Sequence, residues 1–116
     1  MKVSEVEQQT GVSRDTLRYY EREGLISPPP RNTSGFRNYT HAIIDEIRFI
    51  RQAKDLGFSL DQIRRARETL EAQGRLCPEF SRELESRRDF FTQRIRQDQD
   101  RLQTIQRLLT RILPRD

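Results

Sequence analysis

Hydrophobic and polar positions alternate along this chain at a helical period almost throughout. Val3, Val6, Val12 and Leu17 form a first, short apolar group. The pattern predicts a helix over 3–9, a turn at Gly11-Val12 and a second helix within 12–25. Ser4 with Glu7 reads as a capping box for the first helix, and Ser13 as the N-cap of the second. Gly24 ends that second helix. Leu17 turns inward, while Arg14, Arg18, Tyr19 and Arg22 are left for the outer face. A short helix with several arginines and two tyrosines is a poor core element. It is a good surface for phosphates and base edges.

Ser27-Pro28-Pro29-Pro30 cannot continue a helix. The stretch Arg31 to Tyr39, with Ser34-Gly35 in its middle, reads as a two-stranded hairpin that leans on the helices as a wing. Thr40 is the expected cap of a third helix over 41–56. Its buried stripe is Ile43, Ile44, Ile47, Ile50 and Ala53. Gly57 stops it. Ser59 and Gln62 form a capping box for a fourth helix over 60–73, in which Leu60, Ile63, Ala66 and Leu70 face inward. Gly74 ends it.

After Pro78 there is neither glycine nor proline up to Leu113. Leu84, Phe91, Asp98, Ile105 and Ile112 are seven apart, interleaved with Arg88, Ile95, Leu102 and Leu109. This is a heptad seam of about four repeats, which predicts one long helix pairing with another chain. Such a narrow apolar stripe does not hold a lone helix in water. Arg88 and Asp98 interrupt the seam. In an antiparallel pair with its axis near Gln93 each lies opposite the other; in a parallel pair each meets its own copy. The expected division is residues 1–73 as one domain and 74–116 as the dimerisation helix and tail.

Composition narrows the reading. Of 116 residues, 33% are hydrophobic and 34% charged, so the core is thin and a partner chain is expected to supply burial. Residues 1–70 carry 12 basic and 10 acidic groups and the remainder 10 and 8, so the net charge of +4 is not the work of one basic tail. The single cysteine, Cys77, rules out an internal disulfide framework. No apolar run approaches the roughly 20 residues of a membrane span, and no signal-peptide core follows Met1-Lys2. A cytoplasmic, soluble chain is expected. Paired catalytic carboxylates, a Ser-His-Asp set and a glycine-rich phosphate loop do not stand out, so no enzymatic activity is expected.

Taken in order, these residues resemble the MerR family of bacterial transcription regulators. The resemblance is carried by Val3-Ser4-Glu5-Val6, Thr10-Gly11-Val12-Ser13 and Thr16-Leu17-Arg18-Tyr19-Tyr20-Glu21-Arg22-Glu23-Gly24-Leu25. It continues in Gly35-Phe36-Arg37-Asn38-Tyr39, Arg48-Phe49-Ile50 and Leu56-Gly57-Phe58-Ser59-Leu60. It implies a mainly α fold: a winged helix-turn-helix, a second helix pair and a long antiparallel coiled-coil dimerisation helix. It implies a homodimer on a pseudo-palindromic promoter operator in double-stranded DNA. Such dimers distort an overlong promoter spacer so that RNA polymerase can engage.

By the same resemblance, Arg18 and Tyr19 belong to the recognition helix, with Ser13, Arg14 and Thr16 near its entry into the groove. Arg22, on the outer face, joins them. Arg37, Asn38 and Tyr39 belong to the wing, where Arg37 and Tyr39 would hold phosphates. Tyr20 suits DNA contact or packing equally. Phe36 is expected to pack, and His41 to be an early helix position. Metal-sensing members place one cysteine before the long helix and two in a loop after it. Cys77 matches only the first, too few for a closed metal site, so no cofactor is expected. A thiol at a helix N-terminus near Arg75 favours thiolate and could answer oxidants or electrophiles. The alternative is a small apolar filler. A DNA-binding architectural coiled coil, or one regulated by a protein partner, is the rival to an effector-driven regulator.

Overall fold

The computed structural model describes residues 1–112. The expected Leu113 end of the long helix and the tail beyond it lie outside the described residues. Among the described residues five helices follow one another: α1 (Val3–Thr10), α2 (Arg14–Arg22), α3 (Ala42–Asp55), α4 (Leu60–Gln73) and α5 (Pro78–Ile112). The chain divides into two compact units, Met1–Cys77 and the α5 region from Pro78 onward. The segment between Gly74 and Cys77 thus goes with the first unit, whereas the sequence reading grouped it with the long helix.

In the first unit α1 packs against α2 and α3, and α3 against α4. Val6, Leu17, Leu25, Ile26, Ile47, Ile50, Phe58 and Ile63 are fully buried between them. These side chains remove most of their apolar surface from water, which is the main favourable contribution to folding. No buried polar or charged residue interrupts this core among the described residues.

Local signals explain most helix ends. Ser13 Oγ accepts from the Thr16 amide at 3.2 Å and starts α2. The Ser59–Gln62 capping box forms in both directions, with Ser59 N donating to Gln62 Oε1 at 2.9 Å and Gln62 N to Ser59 Oγ at 3.1 Å. Gly11 and Gly74 close α1 and α4 in the left-handed conformation, which costs glycine no Cβ clash.

Two expected caps do not form. Ser4 lies inside α1, whose N-cap is Lys2. The Lys2 carbonyl already accepts from Glu5 N and Val6 N. Tertiary pairing moves the start: Tyr39 N donates to the Met1 carbonyl at 2.8 Å, and the Met1 amine donates to the Tyr39 carbonyl. Residues 1 and 2 are thereby held extended, so the helix begins earlier than the capping box requires. At α3, Thr40 contributes its backbone carbonyl to Ile43 N and His41 takes the N-cap without a side-chain bond. Leu70, expected to face inward, is 43% exposed.

The wing is tighter and less sheet-like than expected. Its only ladder element among the described residues is an antiparallel bridge between Arg31 and Arg37. Asn32 does most of the organising: its Oδ1 accepts from Ser34 N and Phe36 N, each at 3.0 Å. Its side chain therefore replaces ladder bonds with an Asx-type turn. Gly35 sits at φ +81° in this turn.

α5 runs 35 residues without a break. Glu83–Arg87 and Asp98–Arg101 pairs decorate it at helical spacing. Phe91, Ile95, Leu102, Ile105, Leu109 and Ile112 of the heptad seam are all exposed, and Leu84 is half-buried. Arg88 is paired with neighbouring Asp89 and Asp98 with Arg101. No helix among the described residues is long and apolar enough to cross a membrane.

Candidate nucleic-acid interface

The turn between α1 and α2 presents α2 with Leu17 fully buried beneath it. The surface it leaves outward carries Arg14, Arg18 and Arg22, all exposed. The wing folds back beside this face. Between them lies an open cleft of about 570 Å³, lined by Lys2, Arg14, Arg18, Arg31 and Arg37 together with Asn32 and Phe36. Five cations and no acid line it. The chain's net charge is small, so this local concentration is the electrostatic feature of the unit. A concave surface of one sign focuses its field and draws polyanions.

Of the ten residues expected to meet DNA, the structure brings Arg14, Arg18 and Arg37 together in the cleft. Ser13 and Thr16 stand at the start of α2, with their hydroxyl oxygens 2.9 Å apart. Tyr19 is exposed and Tyr20 half-buried, their ring centroids 6.3 Å apart. Arg22 is exposed in the last turn of α2. Asn38 Oδ1 accepts from the Met1 amine at 3.1 Å.

Arg14 approaches Glu7 at 3.7 Å. Arg37 is bound more closely, its Nε donating to Glu21 Oε2 at 3.1 Å. That bond ties the wing to α2, so Arg37 fixes the width of the cleft as well as adding charge to it.

The two wing aromatics take places opposite to those expected. Tyr39 is 3% exposed and Phe36 is 69% exposed. Tyr39 is fixed by backbone pairing with Met1, and its ring enters the core. Its hydroxyl is buried without a hydrogen-bond partner. Burial, reinforced by the Glu21 carboxylate, pushes its phenol above the ordinary value, while Arg37 and Arg18 pull the other way. Phe36 lies in the Asn32-centred turn, one residue after Gly35, and lines the cleft. The GFRNY stretch indicates that one aromatic faces in, but the bridge register decides which. Lys2, Arg31 and Phe36 are cleft residues that sequence reasoning did not select. A positive residue on each side of the two segments that meet there was the available signal.

Cys77 is a half-buried free thiol immediately before α5. The described residues contain no group of three or more His, Cys, Asp or Glu side chains arranged to hold a metal ion.

Residues 1–70 match the model of the MerR HTH family regulatory proteins, and residues 44–112 match that of the MerR DNA-binding region. The HTH-type transcriptional regulator CueR of Yersinia pestis is 41% identical over 64 residues, which is 55% of this chain and 46% of that regulator. The HTH-type regulator slr0701 of Synechocystis is 40% identical over 87 residues, 75% of this chain and 64% of the relative. The chain thus spans about half the length of the first of these relatives. A crystal structure of a MerR family regulator from Listeria monocytogenes superposes with a TM-score of 0.62 at 33% identity, covering 94% of this chain and 83% of that one. With a basic cleft beside a helix-turn-helix and family models matching each half, the chain belongs to the MerR family.

Proposed function

We propose that this chain is a cytoplasmic transcription regulator that binds a pseudo-palindromic promoter operator as a homodimer. It acts by binding and deforming DNA rather than by catalysis. The observation that carries the reading is the acid-free cleft of Lys2, Arg14, Arg18, Arg31 and Arg37 between α2 and the wing. Its position puts the recognition helix in a major groove while the wing follows the adjoining backbone. The exposed apolar seam of α5 supports pairing with a second copy, which supplies two recognition helices for two half-sites. Distortion of an overlong spacer then lets RNA polymerase engage its promoter.

The test is binding to a duplex selected by the protein from a randomised pool, read by fluorescence anisotropy across a salt series. Affinity is expected to fall linearly on logarithmic axes, with a slope of roughly −0.9 for each phosphate contact. A protein that selects no duplex, or whose binding ignores salt, is not a DNA regulator. Transcription from a promoter with an overlong spacer separates the regulator from an architectural protein: only the regulator changes transcript output.

A further inference from the structure

The end of the recognition helix is gripped from α4. The last carbonyls of any helix lack partners within it, and α2 ends only two residues before the left-handed Gly24. Arg64 Nε donates to the Glu23 carbonyl, and Arg64 Nη2 meets the Glu23 carboxylate at 3.1 Å. One turn further along α4, Arg67 Nη1 donates to the Gly24 carbonyl at 3.2 Å and Arg67 Nη2 to Ser27 Oγ at 2.6 Å. Both arginines lie on one face of α4, three residues apart. Arg67 is 15% exposed and Arg64 28%, so water screens these bonds only in part. Each guanidinium is itself oriented by a carboxylate of its own helix, Asp61 for Arg64 and Glu71 for Arg67.

This arrangement is more than a cap. A positive charge at a helix C-terminus is favourable wherever it lies. Here, however, two planar forks from another helix take consecutive carbonyls of the exit from α2, and each takes a side chain of that exit as well. Charge-assisted, multi-point bonds of this kind fix angle as well as distance. On the opposite side of the same helix, Arg37 of the wing holds Glu21. That wing contact belongs to the cleft, whereas Arg64, Arg67 and the groups they hold are not among the residues that line it.

We propose that Arg64 and Arg67 are positioning residues for sequence recognition: they set the angle at which α2 meets the base edges, without touching DNA. This rests on the reading of the chain as an operator-binding protein. Bond networks that place a reading head change discrimination between sequences, whereas loss of phosphate-facing charge weakens binding to every sequence alike.

The experiment uses the full chain and a double variant, Arg64→Lys with Arg67→Lys. It keeps the charge but replaces each fork with a point donor. Binding is measured to the duplex selected by the wild-type protein and to a random duplex, over a salt series, with thermal unfolding followed in parallel. The expected result is a loss of about tenfold in affinity for the selected duplex, with random-duplex affinity and both salt slopes unchanged. An unchanged ratio of the two affinities in a folded variant overturns the proposal. So does an equal loss on both duplexes, which marks the grip as structural alone. Should the double variant fail to fold, the single Arg64→Lys variant is read by the same ratio, with a smaller expected loss. A wild-type chain that selects no duplex refutes the functional reading instead, before any variant is compared.

Discussion

Arg18 and Arg37 line the same cleft with different mechanical standing. Arg37 is held on Glu21 at 3.1 Å, whereas Arg18 stands exposed on the face of α2. Arg18→Ala is expected to erase most discrimination between operator and random DNA, by about 1–3 kcal/mol. Arg37→Ala is expected to release the wing and weaken both about equally. Anisotropy titrations on the two duplexes check this, and matched losses for the two variants refute the division. Tyr39 offers a second residue test. Its hydroxyl is buried and unpartnered, so Tyr39→Phe is expected to be neutral or stabilising by up to about 1 kcal/mol in urea denaturation. Clear destabilisation would mean that the hydroxyl has a partner in solution.

Glu46 gives a pH dependence. Burial raises its carboxyl above the ordinary value, Arg67 and a Ser27 backbone hydrogen bond lower it, and Glu71 raises it again. The net direction is upward, so the folded state holds the proton more tightly than the unfolded chain. The contribution to stability is complete below the unfolded value near 4.5 and is lost as pH rises through the higher folded value. At neutral pH the half-buried charge is a standing cost. Glu46→Gln is therefore expected to unfold at a higher temperature than the parent at pH 7, by an amount worth about 1 kcal/mol or less. The difference should disappear below about pH 4. A gain that persists in acid would sink the titration argument.

Among the elements, α2 starts on a local cap. Ser13 satisfies the Thr16 amide and contacts the Thr16 hydroxyl. Ser13→Ala is expected to cost about 1 kcal/mol, seen as a lower urea midpoint with an unchanged slope. Sequence made this cap and the Ser59–Gln62 box legible because both are settled within four residues. At Ser4 the local signal yields to the pairing of the N-terminal residues with Tyr39, and at α3 the N-cap falls on His41 rather than Thr40. The pattern of the wing predicts two strands, yet Asn32 folds it into a turn with one bridge. A side chain that bonds the backbone on both sides of a short loop competes successfully with a ladder of only a few residues.

At the scale of the molecule, most of the large hydrophobic side chains exposed among the described residues lie on α5. In the proposed antiparallel dimer, an axis near Gln93 sets Phe91 against Ile95, Leu84 against Leu102 and Arg88 against Asp98. The last pair is charged, and its value lies in register. Asp98→Leu is expected to alter dimer dissociation in sedimentation equilibrium and to reduce its dependence on salt. No change in either would reject the antiparallel pairing about Gln93.

Periodicity and turn residues alone determined that the chain is helical, that α2 exposes arginines over a buried Leu17, and that a long heptad helix follows. These properties depend on neighbours within one or two helical turns, so the order of residues contains them. Tertiary structure decided which wing aromatic is buried, which cations share the cleft, and that Arg64 and Arg67 hold the end of the recognition helix. Those bonds join residues about 40 positions apart. Nothing in local spacing encodes them, because they form only when the core has brought α4 beside the exit from α2.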